Sequence, residues 1–351
     1  MGHSIKLGIL GYGFMGHTHA KMLKEFDDIR LMAVCDNNPE QTVDVGSSDL
    51  VIYRNSEEII ADPEINTLII STPNQLHKDM AIQAAKAGKH IICEKPAAMD
   101  SKEFEKMVKV AEANNIIFTV HQQRRFDKDF QIVKAVMDNK MLGMPYLVKS
   151  QLYGINGNMH DWHVYKKYGG GMLLDWGVHL LDQILFMIPG KITSLYADVK
   201  NVINKEVDDY FKIILKFESG ILAEIELGTY YLTPKRAWFV GGNQGSAIIE
   251  GFESEGTIVR TTRLLENVPG KITITAAGPT RSFGPPEPDV LAYEPLPEVD
   301  VNHGMFFENF INAFHGKEEL LVKPKEILRV LKLIEAVHES ALTSNSIAFE
   351  A

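Results

Sequence analysis

From Leu7 onward the chain sets short apolar runs against segments in which apolar residues return every three or four positions. The runs Leu7 to Leu10, Leu31 to Cys35, Leu68 to Ser71, His90 to Cys93 and Ile116 to Val120 are predicted strands. A helix is predicted through Met80 to Ala87, closed by Gly88 as a cap. Asp100 and Glu103 stand as a capping box before Phe104, Met107, Val108 and Ala111, an apolar stripe at helical spacing. Together these make about five βα repeats, the pattern of a parallel sheet wrapped by helices. The first domain is therefore placed at residues 1–122.

Beyond His121 the texture changes to longer strands with period-two alternation, at Tyr146 to Leu152, Ile192 to Val202, Phe211 to Phe217 and Leu222 to Gly228. Their turns predict an open antiparallel sheet. One face needs helices; the other, if apolar, needs a partner, so a homodimer or homotetramer through this sheet is expected. Pro269 to Pro297 reads as an extended surface connection. Helices follow at Met305 to Phe314, stopped by Gly316, and at Ile327 to Ala341, started by Pro324. The expected fold is an α/β Rossmann domain followed by an α+β domain, residues 123–351, with a large, open, mostly antiparallel sheet. The terminal helices are expected to pack back on the first domain.

Charge narrows the partners. A formal net charge of -10, with no run of Lys or Arg, argues against nucleic acid and anionic membrane. The two cysteines, Cys35 and Cys93, sit in predicted buried strands and suit a reducing cytoplasm better than a disulfide framework. The opening apolar stretch is too short for a secretory signal, and no run approaches the length that spans a bilayer.

The first candidate chemistry is GYGFMG, which is Gly11, Tyr12, Gly13, Phe14, Met15 and Gly16, set between a predicted strand and a predicted helix. One glycine allows the tight turn, one lets backbone approach a pyrophosphate, and one lets helix and strand pack closely. The second strand ends in Asp36, about twenty residues on, where a carboxylate can bind ribose hydroxyls, and Asn37 after it is a further cofactor-binding candidate. Its charge would repel a 2'-phosphate, and no Arg or Lys adjoins it in sequence. NAD is therefore expected over NADP.

Two further segments carry polar chemistry: STPNQLH from Ser71 followed by EKP at Glu94, Lys95 and Pro96, and GGGMLLDWGVHLLD from Gly169 to Asp182. With the glycine fingerprint ahead of them, the chain resembles the Gfo/Idh/MocA oxidoreductases over nearly its whole length. The resemblance implies a nicotinamide-dependent enzyme acting on a secondary alcohol of a polyol or sugar, with Lys95, Asp175 and His179 as catalytic residues. Elementary chemistry agrees, because removing hydride from an alcohol carbon requires a base for the hydroxyl proton, and an imidazole suits that task. Lys95 at a strand end could stabilise charge on the reacting oxygen, and Asp175, four residues before His179, is expected on the same helical face.

The resemblance also places Ser71, Thr72, Pro73, Asn74, His77, Glu94, Lys95 and Arg124 near the cofactor. It puts His160, Trp162, His163 and, more weakly, Tyr230 near the substrate. Many sugar-acting relatives carry Arg where this chain has His163. No metal is expected, although His160, His163, Asp175 and His179 are residue types that can bind zinc. An NAD-dependent glycosidase and a non-catalytic NAD-binding regulator are the alternatives, and a nucleotide-linked sugar is the second substrate class. No arginine cluster offers a diphosphate grip.

Overall fold

In the computed structural model, residues 4–47, 49–154, 159–263, 272–281 and 288–350 are described. The first unit runs β1 (Ile5–Leu10), α1 (Phe14–Met22), β2 (Ile29–Cys35), β3 (Val51–Tyr53), α2 (Ser56–Ala61), β4 (Thr67–Ile70), α3 (His77–Lys86), β5 (His90–Cys93), α4 (Ser101–Ala113) and β6 (Phe118–Val120). Its strands pair in parallel in the order β3-β2-β1-β4-β5-β6. Every residue of β4 is buried, as a strand covered on both faces requires. The order reverses between β1 and β4, and that is where an open α/β sheet leaves a crevice beyond its strand ends. Strand β3 escapes the sequence reading because three residues at a sheet edge show no period. Asp100 caps α4 by accepting from the Glu103 N–H, but Glu103 reaches back to the Met99 N–H instead of closing a reciprocal box.

The second unit adds α5 (Lys128–Asp138), β7 (Pro145–Tyr153), α6 (Val178–Met187), β8 (Ile192–Lys200), β9 (Tyr210–Phe217), β10 (Leu222–Gly228), β11 (Trp238–Gly242), β12 (Gly245–Ile249), β13 (Gly256–Thr261), β14 (Ile272–Thr275), β15 (Gly278–Arg281) and β16 (Leu291–Glu294). Eight strands form one sheet in the order β16-β13-β12-β11-β7-β10-β9-β8. All neighbours are antiparallel except β7 and β10, which are parallel at its centre. The stretch expected as a surface connection is more structured than its Pro and Gly content suggests. It holds the β14–β15 hairpin and the edge strand β16, while residues 269–271 and 282–287 lie outside the described set.

Helices α7 (Met305–Phe314) and α8 (Pro324–Thr343) close the chain. Phe306, Phe307 and Phe310 of α7 join the apolar core of the first sheet. Helix α8 is shared, with Ile327 and Leu331 in the first core and Val330, Leu333, Ile334 and Val337 in the second. A buried Arg125 reinforces the junction: its guanidinium holds both oxygens of Asp182 at 2.6 and 2.7 Å and reaches Glu326 of α8 at 2.8 Å. Such a fork is strong only when fully paired, as it is here. The two sheets are thereby fixed on either side of one cleft.

Candidate active site

The cleft begins at the glycine turn. Gly11 has φ +88°, and a Cβ there would lie 2.6 Å from the Ser71 carbonyl oxygen, so β1 and β4 approach closely only because no side chain intervenes. A Cβ on Gly16 would lie 2.4 Å from the Gly11 oxygen. Gly13 is different, since a Cβ there would meet no atom within 4 Å. That free space lies at the start of α1, whose first turn has no acidic residue and no side-chain cap, leaving its N–H groups for an anion. The cradle fits the pyrophosphate of a dinucleotide. Tyr12 is buried against His17, whereas Phe14 projects into solvent and Met15 is half-buried.

Asp36 directly follows β2 beside this turn, accepting from the Tyr12 N–H at 2.8 Å and the Asn38 N–H at 2.8 Å, while Asn37 is exposed. The expectation that no cation adjoins Asp36 is corrected by the fold. Arg54, just past β3, donates from Nη1 to the Asp36 carbonyl at 3.0 Å. Eighteen residues of chain separate the two, so adjacency in sequence could not reveal it.

After β4, Ser71 donates to the Gly11 carbonyl at 2.7 Å and Thr72 lies near the Met80 sulfur. Pro73 is exposed, and the buried Asn74 crosses the cleft to the Gly169 carbonyl at 3.3 Å. His77 and Glu94, expected to touch cofactor, are turned inward. The ring nitrogens of His77 lie 2.7 Å from the Thr72 carbonyl and 2.9 Å from that of Pro96, so the ring ties two loops together. Glu94 is likewise filled by protein donors: His19 Nε2 at 2.7 Å, His121 Nδ1 at 2.9 Å and the Lys95 N–H at 3.1 Å.

Lys95 follows β5 with a cis bond to Pro96 and sends its ammonium across the cleft. Nζ donates to Asp175 Oδ1 at 2.7 Å and to the Asp175 carbonyl at 3.1 Å. Burial, the largest single influence, would raise the Asp175 carboxyl, but the Lys95 charge and hydrogen bond together with the His163 and Arg124 charges hold the group below its ordinary value. His179 is buried, and burial together with the Lys95 and Arg124 charges holds its imidazole well below the usual range, so it is neutral. Its Nδ1 lies 2.7 Å from Gln122 Oε1. An amide oxygen can only accept, so Nδ1 carries the proton and Nε2 keeps its lone pair.

The expected regular helix from Asp175 to His179 is also modified. Leu173–Gly177 is a π-helical turn that passes into α6. The buried Asp208 carboxylate accepts from the Leu173 N–H at 2.7 Å, and burial pushes its pKa up to about 6. Wide turns of this kind are frequent at functional sites.

Arg124 pairs with Asp127 at 2.8 Å and lies 4.0 Å over the Trp176 ring. Behind it is a cavity of about 200 Å³ lined in part by Trp176, Leu180, Trp238 and Phe252. His163 stacks on Trp162 at 3.7 Å and stands within electrostatic reach of Asp175 and Lys95. His160 is exposed, and Tyr230 is half-buried in the turn after β10. Among the described residues, His160, His163, Asp175 and His179 do not converge as metal ligands; the trio that does is His19, Glu94 and His121.

Sequence reasoning missed Gln122, His19, His121 and Trp176. Gln122 was the legible one, since a polar residue just past the carboxyl end of a parallel strand stands at the ligand-binding end of the sheet.

A family model described as an oxidoreductase family with an NAD-binding Rossmann fold matches residues 5–122, and the GFO/IDH/MocA C-terminal domain matches residues 130–248. The chain belongs to the Gfo/Idh/MocA oxidoreductases. As a Gfo/Idh/MocA chain it is an NAD(P)-binding dehydrogenase. It is similar to the crystal structure of an NAD-binding protein from Listeria innocua, with TM-score 0.88 and 35% identity over 99% of this chain and 97% of that one. It is 26% identical to scyllo-inositol 2-dehydrogenase (NADP(+)) IolW of Bacillus subtilis, over 99% of this chain and 96% of the relative. It is also 26% identical to a myo-inositol 2-dehydrogenase of Thermotoga maritima, over 63% of this chain and 68% of the relative. No helix among the described residues is long and apolar enough to cross a membrane.

Proposed function

We propose that this chain oxidises a secondary alcohol carbon of an inositol-like polyol or a sugar, with NAD as hydride acceptor. The observation that carries the reading is the Lys95–Asp175 contact at 2.7 Å beside a neutral, tautomer-fixed His179. The reaction needs an acceptor for a hydroxyl proton and a cation for the oxygen that loses it, and these groups supply both. His179 Nε2 takes the proton, and the Lys95 ammonium stabilises charge growing on the substrate oxygen. Asp175 holds Lys95 and orients a neighbouring hydroxyl. The nicotinamide, when bound, supplies the hydride chemistry. Trp162 and His163 offer an aromatic surface and hydrogen bonds to a hydroxylated ring. The inositol dehydrogenases among the relatives favour a polyol over a nucleotide-linked sugar.

NAD is preferred because the Asp36 carboxylate can bind ribose hydroxyls and repels a 2'-phosphate. Arg54, which donates to the Asp36 carbonyl, works against this preference. The outer face of the eight-stranded sheet carries half-buried apolar side chains, including Ile214, Phe239, Ile248 and Val259, with exposed Tyr196 and Tyr293. A homodimer or homotetramer would bury them. The domains are proposed as 1–122 and 123–351, with α7 and α8 completing the first core. The test is a screen of polyols and sugars for NADH absorbance with the intact chain; no NADH formation from any polyol or sugar refutes the reading.

A further inference from the structure

Beneath Lys95 lies a buried polar trio. His19 comes from α1, Glu94 from the end of β5 and His121 from the end of β6, and all three are almost fully inaccessible. Glu94 Oε1 accepts from both rings and Oε2 accepts from the Lys95 N–H. The α7 helix covers them: the His121 ring lies 4.7 Å from that of Phe306 and 5.7 Å from that of Phe307, and the His19 ring lies 5.9 Å from Phe307. A carboxylate set in such apolar surroundings is costly unless it accepts hydrogen bonds, and Glu94 accepts three.

The outward nitrogens decide what the trio is. Among the described residues, neither His19 Nδ1 nor His121 Nε2, both buried, has a hydrogen-bond partner. A carboxylate oxygen can only accept, so each ring turns an N–H toward Glu94. A metal bound between the inward nitrogens would force those protons onto the outward ones, where no acceptor awaits them; metal-bound imidazoles normally donate their second N–H. The trio is therefore arranged to hold a carboxylate.

We propose that His19 and His121 are positioning residues that act through Glu94 to fix Lys95 in the cleft. The brace joins three functional elements. Helix α1 begins at the cofactor cradle, Lys95 lies just past β5, and the residue after His121 is Gln122, which holds His179. The inference rests on the catalytic role proposed for Lys95.

The experiment compares two substitutions at each ring in the full chain. An Asn amide nitrogen lies two bonds from Cβ, as Nδ1 does, and a Gln amide nitrogen lies three, as Nε2 does. His121→Asn and His19→Gln thus keep the donor, while His121→Leu and His19→Leu remove it; all four lose the ring. Hydrogen exchange at the Lys95 amide reads the brace without any substrate, and kcat and KM are read in parallel. The Leu variants are expected to lose exchange protection by at least about tenfold and kcat by about 10²-fold, the order that a misplaced catalytic group costs, with KM for NAD little changed. The amide variants are expected to stay within a few-fold of the parent. Equal losses in the amide and Leu variants, tracking Tm, would reduce the trio to packing, and one equivalent of metal that leaves with His121→Leu would make it a metal site. Because exchange is independent of turnover, an inactive parent would refute the polyol reading and leave the brace still measurable.

Discussion

Gln122→Leu isolates the hydrogen bond that sets the tautomer of His179. The leucine fills a similar volume but leaves the Nδ1 proton, 2.7 Å from the vanished oxygen, without an acceptor in a buried site. An unmet buried donor costs about 1–3 kcal/mol, which the ring can avoid by moving its proton to Nε2. That tautomer cannot accept the substrate proton. At about 1.4 kcal/mol per decade, kcat should fall by about 5- to 150-fold. His179→Ala should cost more, about 10² to 10⁴ for a lost acid-base group, with NAD affinity nearly intact. The two effects should not multiply: with the imidazole gone, Gln122→Leu has nothing left to orient, so the double variant should match His179→Ala. The assay is steady-state NADH formation from the best polyol of the screen, with NAD affinity and Tm measured alongside. Full kcat in Gln122→Leu, or losses that multiply in the double variant, would refute the assignment of His179 as an oriented base.

Three further outcomes follow from the geometry. Gly13→Ala should leave Tm unchanged, since its Cβ meets nothing, yet weaken NAD binding by at least about tenfold by filling the cradle, whereas Gly11→Ala should destabilise the fold through φ +88° and the Ser71 contact. Removing the guanidinium in Arg54→Ala should lower kcat/KM for NADP by about tenfold or more and that for NAD much less, the order of a lost charge-assisted bond; equal losses would show that Arg54 does not meet the 2'-phosphate. Asp129 is a buried carboxyl that burial pushes up to about 6 while it accepts from Trp238 Nε1 at 2.9 Å. Because its folded pKa is raised, its contribution is fully present below its ordinary value of 3.8, is lost as pH rises to about 6, and stays lost above. Asp129→Asn should therefore raise Tm at pH 8 by removing a penalty of at most about 3 kcal/mol, with the difference vanishing near pH 4.

The local parts of this molecule were legible because their causes are local. Apolar runs at β1, β2, β4 and β5, the glycine turn and the caps of α3, α7 and α8 all follow from residues within a few positions of one another. Short elements without a period escaped, namely β3, β11 to β13 and β16, since their burial comes from neighbours far along the chain. Lys95, Asp175 and His179 stood out only as members of an ordered set of motifs; the fold puts Nζ within 2.7 Å of a carboxylate 80 residues away.

By itself, then, the sequence determined the dinucleotide turn, the succession of a parallel sheet and a broad, mostly antiparallel one, and the residue types available for hydride chemistry. Tertiary structure alone decided which of those residues face the cleft. It turned His77 and Glu94 inward, brought Arg54 to Asp36, and gave His179 its tautomer through Gln122. The physical reason is that strand, turn and cap preferences act over a few bonds. Protonation and charge in a site are set by burial and by partners that only the closed chain brings within hydrogen-bonding distance.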